Sequence, residues 1–148
     1  MKKIWLAYKF RGRNVEEVKK QLHRMRQLLR DQGYEVVIMA EDVQNWNFDP
    51  QVMSKAEAVR RAMILMRGCD LLLGLHDTDA ASEGRGWETG FFAGLGKPTV
   101  LAVHKSVDNA FIEALFTENP ATVRLGFTPV IRYDQVEEVI GQLRLGSP

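Results

Sequence analysis

Cysteine is almost missing from this chain: Cys69 is the one thiol in 148 residues. An internal disulfide is therefore impossible, and a cytoplasmic setting fits. Metal-ligand spacing is missing as well. Three histidines and a lone cysteine form no cluster of the kind that holds zinc, so no metal and no other cofactor is expected. No apolar run approaches the roughly 20 residues that a membrane helix needs, and the run behind the charged Met1-Lys2-Lys3 start is too short for a signal peptide. Excess charge is lacking too: 20 basic against 19 acidic residues leave a formal net charge of +1, which gives neither nucleic acid nor an anionic membrane a reason to bind. Gly84, Gly86 and Gly90 lack the dinucleotide spacing, and the lysine and hydroxyl of a phosphate-binding loop are absent. No nucleophile elbow surrounds Ser82.

What is present is an ordinary globular composition, 45% hydrophobic and 26% charged, over a length that makes residues 1–148 a single domain. Residues 4–8 form a short apolar strand. Val15, Val18, Leu22, Met25, Leu28 and Leu29 then recur at helical spacing, with Asn14 as N-cap and Gly33 as stop. Residues 34–39 read as a second strand. Residues 40–53 show no period and read as a long loop. Ser54 opens a helix over 54–67, with Glu57 three places later completing a capping box. Strands over 70–75, 99–103 and 129–132, and helices from about 87, over 107–116 and over 135–143, complete the chain. Strict alternation of strand and helix predicts a doubly wound, five-stranded parallel α/β sheet in the flavodoxin-like order 2-1-3-4-5. Its switch point lies between the first and third strands. The loop after Tyr8 and the loop after Leu75 should therefore converge on one crevice.

The segment Ser82 to Pro98 carries the most chemistry. Read locally, residues 82–86 form a glycine-rich turn whose amides, at Gly84 and Gly86 among others, make a nest for phosphate or carboxylate; a tight turn demanding positive φ is the plainer account. Glu88 falls in the first turn of the following helix. There the helix dipole favours a carboxylate that does nothing else, or holds one ionised for work as a nucleophile. A glutamate nucleophile suits an anomeric carbon, whose cationic transition state welcomes an anion. Asp77 and Asp79 are either solvated loop residues or acids of the site, and His76 reads as a packing or loop histidine. Trp46 and Phe48 would cover a planar ligand or simply pack on the body. Cys69, ahead of a buried strand, is a structural thiol.

These residues together resemble the nucleoside 2-deoxyribosyltransferase superfamily, which includes nucleoside 5′-monophosphate N-glycosidases. The likeness is specific from Asp70 to Pro98: an apolar strand led by Asp70, an acidic loop, then Gly84, Gly86, Glu88, Gly90 and the closing Gly96-Lys97-Pro98. It is weaker over residues 4–12 and rests elsewhere on the order of elements. The resemblance implies that Glu88 attacks C1′ of a nucleotide sugar, with Asp77 or Asp79 protonating the leaving base. It puts Ser82, Gly84 and Gly86 against the 5′-phosphate, since the transferases acting on free nucleosides carry Asp where Ser82 stands. Arg11 or Arg13 would neutralise phosphate or meet the base, and Trp5, Tyr8, Phe10 and Trp46 would line the pocket. The expected activity is hydrolysis of a nucleoside 5′-monophosphate, pyrimidine such as CMP. Deoxyribosyl transfer between bases, or nucleotide binding without turnover, are the rival functions. A homodimer is implied, because such sites are often completed by a neighbouring subunit. Three positions depart from the family: Ala62 stands where a helix Asp is common, Trp5 where Tyr or Phe is usual, and Tyr8 where Gly is frequent.

Overall fold

The computed structural model describes residues 2–8, 13–77, 83–107 and 110–143, with 83–85 and 110–111 described by their backbone alone. Strand β1 (Lys3–Tyr8) is followed by α1 (Val15–Asp31), β2 (Glu35–Ile38), a π-helical turn (Met39–Val43) and α2 (Lys55–Arg67). Then come β3 (Leu71–His76), α3 (Glu83–Gly94), β4 (Thr99–His104), α4 (Ala110–Thr117), α5 (Pro120–Arg124), β5 (Val130–Tyr133) and α6 (Glu137–Leu143). All five strands pair in parallel in the order β2-β1-β3-β4-β5, as the alternation of elements requires.

Local chemistry sets most boundaries. Asn14 Oδ1 accepts the Glu17 N–H at 3.1 Å, and Ser54 Oγ accepts that of Glu57 at 3.1 Å, so both N-caps act as their side chains dictate. The capping box is only half made, because the Glu57 carboxylate turns outward to Arg60 and Arg61. Gly33 closes α1 at φ +90, a conformation a side chain would strain. The aperiodic stretch after β2 is more ordered than its sequence suggests. The π-helical turn opens it, and Asn45 and Trp46 at φ 48 and 59 end that turn. Helix α5 has no apolar period long enough to announce it; Asn119 caps it and Pro120 starts it.

The two faces of the sheet are covered by different helices. Val18, Leu22, Met25 and Leu29 of α1 pack with Val139, Ile140 and Leu143 of α6 against Ile4, Leu6, Leu71, Leu73 and Leu75. Ala58, Ala62 and Met66 of α2, Phe92 of α3 and Phe116 of α4 pack on the opposite face, against Trp5, Ala7, Leu72, Leu101 and Val103. Strand alternation thus assigns Leu72, Gly74 and His76 to the second face. Gly74 is required there: a Cβ would stand 3.2 Å from Phe116 Cζ and 3.3 Å from Leu101 Cδ1. Phe116 occupies the room that the missing side chain leaves.

Two residues of the glycine–lysine motif region are structural. The Asp70 carboxylate accepts the Lys3 N–H at 2.8 Å, and the Asp70 N–H donates to Lys3 O at 2.7 Å, which locks the starts of β1 and β3 together. The Lys97 ammonium donates to Arg67 O at 2.5 Å and Cys69 O at 2.6 Å, supplying the orphan carbonyls at the end of α2. Cys69 is buried, donates weakly to Leu65 O at 3.4 Å, and burial pushes its thiol up to about 11, which makes it inert. No helix among the described residues is long and apolar enough to cross a membrane.

Candidate active site

The switch point between β1 and β3 lies at the C-terminal ends of their strands, where helices on opposite faces diverge. Side chains from both following loops meet there. Arg13 Nη1 donates to Asp77 Oδ1 at 2.5 Å and Nη2 to Oδ2 at 3.4 Å, so the first loop is fastened to the third across 64 residues of sequence. Tyr8 adds its hydroxyl, 2.9 Å from Asp77 Oδ2 and 2.7 Å from Gln21 Oε1, and the Arg13 guanidinium lies 5.1 Å from its ring centroid.

This network fixes protonation states. Burial alone would raise the Asp77 carboxyl, but hydrogen bonds from Arg13 and Tyr8, with the Arg13 charge, outweigh it and hold Asp77 below the usual carboxylate range. The Tyr8 hydroxyl is driven up by burial and by the Asp77 charge, and Tyr133 is pushed up to about 12 by the same two causes. Asp77 is thus an anion with committed partners. A group so held is poorly suited to donate the proton that the resemblance implies for Asp77 or Asp79.

Glu88 enters from the other side. Helix α3 begins at Glu83, not near residue 87, so Gly84 and Gly86 lie within its first turn and Glu88 is its sixth residue. The glycine-rich turn is therefore the helix N-terminus itself, and its amides are first-turn donors, not a separate nest. Propensity misled here: each glycine disfavours helix by about 1 kcal/mol, which argued for a turn, and packing on the sheet overrode it. Glu88 is 7% exposed, one turn ahead of the fully buried Phe92, so it faces the sheet and not solvent. The dipole explanation for a first-turn glutamate no longer applies. His76 is completely buried at the end of β3, on the face that α3 covers.

The remaining expected residues divide. Trp5 is completely buried among Ala62, Phe92 and Leu72, and its indole N–H has no hydrogen-bond acceptor among the described residues. Ala62, in the place of the family Asp, belongs to the same apolar cluster. Trp46 packs on α1: its Nε1 donates to Glu41 Oε1 at 3.3 Å, the Lys19 ammonium lies over its ring at 5.2 Å, and the His23 ring meets its edge at 6.1 Å. Phe10, Arg11, Asp79 and Ser82 lie outside the described residues. Among the described residues no group of three or more His, Cys, Asp or Glu side chains is placed to hold a metal ion.

The sequence missed one feature. Glu41 gathers Arg26, His23 at 2.7 Å and Trp46 around one carboxylate, a cluster whose members are scattered along the chain and leave no local signal. The burial of His76 was legible in principle, through the period-two alternation that runs from Leu72 to His76.

Comparison with known proteins agrees with this arrangement. Residues 4–122 match the family model of nucleoside 2-deoxyribosyltransferase. The fold is similar to that of the CMP N-glycosidase BcmB of Clostridium botulinum, with 22% identity, TM-score 0.64, and coverage of 97% of this chain and 99% of that one. A 2-deoxyribosyltransferase of Bacillus psychrosaccharolyticus superposes with TM-score 0.64 at 20% identity, covering 93% of this chain and 90% of that one. For a 2-desoxiribosyltransferase from Leishmania mexicana the values are 0.52 and 18%, over 70% and 65% of the two chains. No curated protein sequence matches. With its sheet order, its buried helix carboxylate and the family match over most of its length, the chain belongs to the nucleoside 2-deoxyribosyltransferase family.

Proposed function

We propose that the protein hydrolyses the N-glycosidic bond of a nucleoside 5′-monophosphate, a pyrimidine nucleotide such as CMP, through a Glu88 glycosyl-enzyme. The observation that carries this is the burial of Glu88 in α3, facing the sheet beside the switch point, in a chain of this family. A Glu88 carboxylate oxygen bonds to C1′ as the C1′–N bond breaks, and the electron pair leaves with the base, which takes up a proton. Water then attacks C1′, the ester breaks, and Glu88 returns as carboxylate. With Asp77 committed to Arg13, Asp79 is the better candidate for the proton of the leaving base.

The 5′-phosphate would rest on the first-turn amides of α3, including Gly84 and Gly86, with the Ser82 hydroxyl and a basic residue of the first loop. Arg13 already shares its fork with Asp77, so the phosphate is assigned to Arg11. Tyr8 and Phe10 would border the sugar and base, whereas the completely buried Trp5 belongs to the core beneath the site. The active form would be a homodimer.

The test is a panel of nucleoside monophosphates and free nucleosides, with free base followed by chromatography. Release from a monophosphate, lost by about 10³-fold or more in Glu88→Gln, is expected, since the lost nucleophile leaves no covalent path. Wild type and variant equal on every substrate would end the proposal. Deoxyribosyl transfer is the second possibility, favoured by the family match itself; it requires a new nucleoside when a deoxynucleoside and an acceptor base are supplied together.

A further inference from the structure

The end of β4 and the turn behind it carry a group of side chains that the chemistry above does not use. His104 is the last residue of β4 and pairs in register with Tyr133 of β5. The turn that follows is pinned at both ends. The Val107 N–H donates to His104 O at 3.0 Å, the Lys105 N–H donates to Tyr133 O at 2.8 Å, and Val107 is buried. Ser106 lies exposed between them.

The hydrogen bonds fix the tautomer of His104. Its Nδ1 lies 3.1 Å from the Ser106 backbone nitrogen and 2.7 Å from Ser106 Oγ. A backbone N–H can only donate, so Nδ1 carries the lone pair and the ring proton sits on Nε2. The Ser106 hydroxyl must then donate to Nδ1 as well, at the shorter of the two distances. Nε2 faces Asp134, whose Oδ1 stands 3.8 Å away, too far for a direct hydrogen bond but near enough for its charge to act. The Tyr133 ring meets the imidazole edge-on, 5.4 Å away and at 87°, and fixes its plane. A hydroxyl aimed at an imidazole lone pair, with a carboxylate behind the other nitrogen, is the arrangement that activates a serine, whatever the order of the residues in the chain.

We propose that Ser106 is a nucleophile toward small activated esters, with His104 as its general base and Asp134 as the positioning residue of the imidazole. Oγ bonds to the ester carbonyl carbon while its proton passes to Nδ1. The ester C–O bond then breaks, and that proton leaves with the alcohol. Water cleaves the acyl-serine, which releases the carboxylic acid and restores the hydroxyl. While the imidazolium lasts, the Ser106 N–H loses Nδ1 as acceptor, and on an exposed turn water takes its place. Asp134 steadies the imidazolium by its charge, part of which is offset by the Lys105 ammonium 3.1 Å from its other oxygen. The open position suits an acyl group small enough to need no pocket.

The test uses p-nitrophenyl acetate on the full chain with no nucleotide present, so it stands apart from the preceding proposal. Release of p-nitrophenolate is followed by absorbance, and the acetylated position is found by peptide mass spectrometry. The expected result is an acetyl ester on Ser106, removed by hydroxylamine, with release slowed about tenfold or more in both Ser106→Ala and His104→Gln. Asp134→Asn should lower kcat about threefold or more at unchanged KM, and Asp134→Glu should restore part of the loss. Acetyl groups on lysines alone, or release by Ser106→Ala equal to wild type, overturn the proposal and leave His104 as the cap of a turn. Loss in His104→Gln alone would make the imidazole itself the nucleophile, which overturns it as well. An Asp134→Asn protein equal to wild type overturns the role of Asp134. The labelled position in wild type needs no variant, so a variant that fails to fold still leaves the nucleophile decided.

Discussion

Glu41 illustrates how strongly single residues in this chain are tuned by neighbours distant in sequence. Its burial alone would raise its pKa, but hydrogen bonds from Arg26, His23 and Trp46 overcome that and bring it from 4.5 down to about 2. A depressed carboxylate stabilises the fold above its unfolded value and loses that contribution as pH falls through the folded one. The Glu41→Gln protein should therefore be about 2 kcal/mol less stable than wild type at pH 7, with the gap closing between pH 4.5 and about 2. Urea denaturation across that range checks it; a constant gap would mean that the charge on Glu41 is immaterial. Of the residues at this scale, Asn14 and Ser54 were legible because a cap is a contact within three residues. Glu41 was not, since its partners come from α1 and from the turn behind it.

At the scale of elements, strand and helix identity followed from periodicity, while helix ends depended on what lay nearby in space. Helix α3 begins four residues earlier than its glycines suggest. The end of α2 is secured by Lys97, whose ammonium reaches carbonyls about 30 residues back in the chain. Lys97→Met keeps the apolar stem and removes the donors. It should cost about 1–2 kcal/mol, the worth of charged hydrogen bonds at a partly exposed site, and the loss should appear in the denaturant midpoint without a change in slope. A midpoint within error of wild type would show that water serves the α2 carbonyls equally well.

For the molecule as a whole, the parallel order places every strand's C-terminal end on one edge, and the switch between β1 and β3 opens the crevice there. The Arg13–Asp77 pair and the Tyr8 hydroxyl draw the first and third loops together, as the topology required. The proposed homodimer is a property of this scale. Light scattering on the purified chain should give about twice the mass of one chain, and a monomer at assay concentration would remove the neighbouring subunit from any account of the site.

The sequence by itself determined the sheet and its order, because hydrophobic period and element alternation act locally and the right-handed crossover leaves few topologies. It also marked Glu88, through the resemblance that Gly84, Gly86, Glu88 and Gly90 carry to the family. Only the tertiary structure decided protonation and company: that Asp77 is an anion claimed by Arg13, that Lys97 serves α2, that Trp46 packs on α1, and that Glu88 and His76 are buried on one face. The reason is physical. Periodicity records which side of an element meets the core, whereas charge state depends on burial and on neighbours that come from every part of the chain.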